Sequence, residues 1–123
     1  MKKIRSLMNS FKFAGQGFKA AFSNERNFRI HCTMVVIVTI LGIVFNLSLL
    51  KWALLFLAMG FVLVSELVNT AGETLVDMIT NEYSKEAKRV KDLSAASVLV
   101  AAIAAVFVGI FVFVDPILEL LKR

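Results

Sequence analysis

The chain has 123 residues, 59% of them hydrophobic, with a mean hydropathy of +0.79 and a formal net charge of +5. So apolar a sequence excludes a soluble domain of this length, and one Pro with six Gly is too helix-friendly for a barrel. A single cysteine excludes an intrachain disulfide and any cysteine-based metal spacing.

Residues 1–27 predict an amphipathic helix lying on a membrane surface. Ile4, Leu7, Met8, Phe11, Phe18 and Phe22 recur at helical spacing, with Lys3, Arg5, Lys12 and Lys19 between them. The basic groups favour an anionic leaflet. A basic helix can also bind nucleic acid, but here phenylalanines that favour lipid alternate with the lysines, so no nucleic acid is expected. Gly15 and Gly17 form no phosphate loop, since no Walker pattern follows them and no strand precedes them. The basic start lacks a compact apolar core followed by a small-residue cleavage site, so no signal peptide is expected.

Residues 28–64 are almost continuously apolar. A bilayer core needs roughly 20 helical residues, so the run is too long for one span and about right for two. Asn46-Leu47-Ser48 is the natural turn. This gives a first span over 28–46 and a second from 50 to about 68, whose helix continues beyond the bilayer to about 80. His31 reads as an interfacial anchor and Cys32 as a small apolar helix residue. Residues 81–92 form a charged connector. Residues 93–114, rich in Ala and Val, form a third span, which Asp115-Pro116 ends or kinks. The reading is an all-α integral membrane protein: one surface helix, three transmembrane helices and a single membrane domain.

Orientation follows from the basic residues. Seven lie before residue 30 and four between 81 and 92, against three elsewhere. Three spans put the first two groups on one side, which is therefore cytoplasmic.

Glu66, Asn69, Glu73 and Asp77 begin inside the second apolar run and continue past it. At roughly 100° per residue they fall within about 80° of one another around a helix, and from first to last they cover about 16 Å. Carboxylates beside a bilayer are costly unless paired, hydrated or metal-bound. Lys91 and Asp92 return to the same membrane edge at the start of the third span, and Glu25 at the end of the surface helix. Hard oxygens bind Mg²⁺, a lysine complements phosphate, and a carboxylate near a lipid hydroxyl can act as general base. These parts suffice to move a phosphate from a nucleotide to a lipid alcohol. The plainer reading is a solvated charged helix, and it fits Glu82, Glu86 and Lys88 well. It fits the aligned stripe poorly.

The segment from Glu66 to Asp77, ELVNTAGETLVD, followed by Lys91-Asp92, resembles the signature of the small prokaryotic diacylglycerol kinase family, roughly E-x-x-N-[ST]-A-[IL]-E-x-x-V-D and then K-D. Asn24 to His31, NERNFRIH, resembles the corresponding sequence of the Gram-positive branch, whose members are undecaprenol kinases. The resemblance covers essentially the whole chain. Gly72 departs from it, standing where Ile or Leu is usual. The resemblance implies a homotrimer with active sites shared between subunits, acting on undecaprenol or diacylglycerol with ATP and Mg²⁺. By matching position, it implies Glu66 as the base with Asn69 beside it, and Glu25 and Glu73 as ligands of the cation. Asp77 and Asp92 are implied as polar site members, Lys91 as the phosphate contact, and Glu82 and Tyr83 as neighbours of the nucleoside. Ser6 falls where some members carry a functional arginine, which leaves Arg5 as the candidate for that part.

Two other classes compete. A proton-coupled transporter would place its carboxylate nearer mid-bilayer. A pore former or assembly subunit would need no aligned Glu-Asn-Glu-Asp face. Nucleotide binding separates the kinase from both.

Overall fold

The computed structural model describes residues 2–123, with side chains from Ser6 onward; the Arg5 side chain lies outside the described residues. Four helices follow in order: α1 Lys2–Asn24, α2 Arg26–Val44, α3 Leu49–Ile79 and α4 Lys85–Leu121. Among the described residues there is no strand. By length and composition, α2, α3 and α4 are each able to cross a membrane.

The turns between helices have local causes. Asn46 takes a φ of 51°, a left-handed conformation that asparagine tolerates better than most residues. Ser48 then caps α3 by accepting from the Lys51 N–H. After α3, the Thr80 hydroxyl accepts from the Glu82 N–H at 3.1 Å. Ser84 caps α4, accepting from the Ala87 N–H at 3.0 Å. The charged stretch 81–92 is therefore helical from Lys85 onward. Its Lys, Glu, Ala and Arg residues are strong helix formers, and Lys88 pairs with Asp92 one turn on. Pro116 does not end α4, which runs through it to Leu121. A proline costs a helix one N–H donor, a loss that membrane helices tolerate.

The packed core sits at the end of the bundle away from Glu66. Leu47, Leu55 and Val112 are buried there against Phe45, Trp52 and Phe113. Gly42 allows α2 to approach: a Cβ on it would lie 2.7 Å from the Trp52 ring. Lys51 and Asp115 face each other at 3.7 Å at this end. Along α3 and α4, large side chains such as Phe56, Phe61, Phe107 and Phe111 are exposed.

At the other end, Glu25 alone separates α1 from α2. Phe28 is fully buried and meets Phe18 edge-on with ring centroids 5.0 Å apart. The Arg29 guanidinium donates to the carbonyls of Phe22 and Ser23, satisfying the last turn of α1. This elbow lays α1 against the part of α3 that carries the acidic stripe.

Candidate active site

The stripe on α3 is graded. Glu66 is 2% exposed and Asn69 is 9% exposed. Glu73 is half-buried and Asp77 is exposed. α3 packs chiefly against α4, and Val62, Ser65 and Val76 are buried along the same stretch. One helix thus carries its polar face from a closed interior to open solvent within about three turns.

The two buried members are under-satisfied. Among the described residues nothing hydrogen-bonds Asn69 Oδ1. Glu66 faces one basic group, His31, whose Nε2 lies 3.8 Å from Glu66 Oε2. A buried polar atom with no partner carries a desolvation penalty. His31 also stands at the polar end of an apolar groove of about 360 Å³ that passes Met34, Val62 and Val106 on its way to Phe113.

The exposed members are joined to α4. Lys91 Nζ donates to Asp77 Oδ1 at 2.7 Å. That hydrogen bond holds the Lys91 ammonium above the ordinary lysine range, and the Asp77 and Glu73 charges act in the same direction. Asp77, Glu82, Tyr83, Lys91 and Asp92 line one open recess of about 600 Å³ where the α3–α4 turn closes over the helix ends. Asp92 takes Lys88 as its partner. Gly72 faces Ser94 across the same helix pair: a Cβ there would lie 2.6 Å from Ser94 Oγ. The glycine that departs from the Ile/Leu pattern is thus matched by a hydroxyl opposite it.

Glu25 lies in a second recess, of about 610 Å³, with Phe18, Leu67, Thr70, Ala71 and Thr74. It is the N-cap residue of α2, yet its side chain makes no capping bond. Glu25 and Glu73 are the two carboxylates whose charges reach Glu66. Among the described residues neither forms an ion pair, and no three His, Cys, Asp or Glu side chains gather closely enough to hold a metal unaided. Two unpaired hard carboxylates without a full ligand cage fit Mg²⁺, which takes one or two carboxylates and completes its shell with water and substrate phosphate.

The structure therefore brings Asp77, Glu82, Tyr83, Lys91 and Asp92 to one recess, buries Glu66 and Asn69, and leaves Glu25 half-buried in a separate recess beside α1. Sequence reasoning missed His31, read there as an interfacial anchor. No signal within α2 could have found it, because its partner Glu66 stands on α3.

Comparison with known proteins identifies the family. Residues 12–113 match the prokaryotic diacylglycerol kinase family. An undecaprenol kinase of Bacillus subtilis is 35% identical over 115 residues, covering 94% of each chain. A diacylglycerol kinase of Synechocystis is 40% identical over 117 residues, covering 94% of this chain and 67% of that one. A diacylglycerol kinase of Escherichia coli is 32% identical over 94 residues, covering 76% of this chain and 77% of that one. With the match extending over nearly all of the helical bundle and through the whole stripe, the chain belongs to the prokaryotic diacylglycerol kinase family of lipid kinases.

Proposed function

We propose that this chain is an undecaprenol kinase of the cell membrane, transferring the γ-phosphate of ATP to the hydroxyl of undecaprenol. The observation that carries the reading is the grading of the α3 stripe from buried Glu66 to exposed Asp77. A lipid hydroxyl arrives from the bilayer edge, and a nucleotide arrives from water. Glu66 suits the first and the Asp77–Lys91 recess suits the second.

In this reading α2, the apolar part of α3 and the apolar part of α4 span the bilayer. α1 lies on the cytoplasmic surface with its phenylalanines toward lipid. Three copies assemble, and neighbouring subunits complete each site. Glu66 accepts the hydroxyl proton as the acceptor oxygen forms its bond to the γ-phosphorus and the bond to the bridging oxygen breaks, releasing ADP. Asn69 orients the reacting groups from one turn away. Lys91 binds the phosphates, while Asp77 and Asp92 fix the lysines around them. Glu82 and Tyr83 flank the nucleoside. Glu25 and Glu73 hold Mg²⁺, which supplies charge neutralisation at the phosphates when bound. The apolar groove beneath His31 offers a hydrocarbon-lined surface to the lipid chain.

Diacylglycerol is the second acceptor, and the relatives named for it support that alternative. Undecaprenol is preferred on the Gram-positive form of Asn24–His31 and on the similarity to the Bacillus subtilis enzyme. The test is a phosphorylation assay with purified protein, offering undecaprenol and diacylglycerol side by side. Faster turnover of undecaprenol supports the reading. Turnover of diacylglycerol alone makes the chain a diacylglycerol kinase, and turnover of neither removes the kinase assignment.

A further inference from the structure

We propose that His31 is a positioning residue for this chemistry: its imidazole faces Glu66 from α2 and holds the carboxylate in line with the acceptor hydroxyl. The inference rests on the assignment of Glu66 as the base.

Three observations carry it. First, Glu66 is almost wholly buried and, among the described residues, accepts no hydrogen bond. Among the described residues, His31 from α2 is the one basic side chain within ion-pair reach of it. A carboxylate in such surroundings is costly without a partner.

Second, the imidazole faces the carboxylate directly. Nε2 stands 3.8 Å from Oε2, within ion-pair reach but beyond a hydrogen bond. The imidazole nitrogen approaches the carboxylate at Oε2. Contacts of this kind are often long before substrate binds and shorten in the productive complex.

Third, the chain around His31 is built to aim it. Phe28 is fully buried against Phe18, and Arg29 ties α2 to the end of α1. His31 follows Phe28 by three residues and so lies on the same side of α2, whereas Arg29 and Ile30 between them are exposed. The segment Asn24–His31 therefore works as one unit: an elbow, an anchor, a tie and then the imidazole that meets α3.

The experiment uses the full chain in detergent micelles at saturating lipid alcohol, comparing wild type, His31→Gln, Glu66→Gln and the double variant. His31→Gln is expected to lower kcat by at least about tenfold, as misplacement of a reacting group does, while nucleotide KM stays within about twofold. In the Glu66→Gln background the same change is expected to add no further loss, because there is no base left to position. Near-normal kcat in His31→Gln overturns the proposal. So does a rise in nucleotide KM that parallels the fall in kcat, which marks a general structural role, and so does an undiminished loss in the Glu66→Gln background. Should the Glu66→Gln rate be too low to read, the split between kcat and KM in His31→Gln decides alone. A wild type inactive on both lipids removes the kinase reading and this inference together, whereas an active wild type with a normal His31→Gln removes this inference only.

Discussion

Lys91 and Asp77 stand on different helices, 14 residues apart in sequence, and their side chains meet at 2.7 Å. The bond joins the outer end of the acidic stripe to the first turns of α4, and it leaves the lysine at the rim of the recess that also holds Glu82 and Tyr83. A lysine held in this way presents a fixed positive charge to phosphate.

Removing that charge is expected to affect the nucleotide first. Lys91→Met should raise nucleotide KM by at least about tenfold, since charge-assisted hydrogen bonds to phosphate are the strong ones. Asp77→Asn keeps a hydrogen-bond acceptor opposite the lysine and should cost less. Steady-state kinetics over a range of ATP concentrations check both, and a wild-type nucleotide KM in Lys91→Met contradicts the role.

Gly72 and Ser94 make a size-matched pair between α3 and α4. Gly72→Ala gains about 1 kcal/mol of helix propensity, against a clash that the Ser94 hydroxyl relieves by rotating, so its net effect is expected to be near zero. A leucine is too large for that escape. Gly72→Leu should destabilise by about 1–3 kcal/mol through overpacking, and Ser94→Gly in the same chain should recover most of the loss. Thermal unfolding in micelles checks the series, and additive losses in the double variant contradict the pairing.

The topology follows from charge. With Cys32→Ala as background, Ser48→Cys should react with a membrane-impermeant thiol reagent in intact cells, and Ser84→Cys should react only after permeabilisation. The opposite pattern reverses the orientation.

The sequence made the four helices and three apolar spans legible because their causes are local. Asn46 and Ser48 hold turn and cap chemistry in adjacent positions, and the apolar runs either side have span length. The acidic stripe was legible for the same reason, as a periodicity within one helix. The start of α4 at Lys85 was less so, because seven of its first eight residues are charged or small and read equally well as a solvated connector. Pairings between helices were not legible. Sequence reasoning could bring Lys91 and Asp92 to the same end of the bundle as the stripe, but not say that Asp77 takes Lys91 while Asp92 takes Lys88. The same limit hid Gly72 against Ser94 and His31 against Glu66, since periodicity fixes which face a residue occupies and not which helix covers it.

The central claim is that position along α3 separates two roles: Glu66 for the acceptor hydroxyl, Glu73 for the cation on the donor. The most direct measurement compares Glu66→Gln with Glu73→Gln, following lipid phosphorylation and Mg²⁺-dependent nucleotide binding in the same preparations. Glu66→Gln keeps the size of the side chain and removes its basic oxygen. It should lose about 10²–10⁴-fold in rate, the usual contribution of a general base, with nucleotide affinity little changed. Glu73→Gln should lose turnover and nucleotide binding together, with Glu25→Gln following it in the same direction. If Glu66→Gln instead abolishes nucleotide binding while turning over near normally at saturating nucleotide, Glu66 is a cation ligand and the division of roles along the helix is wrong.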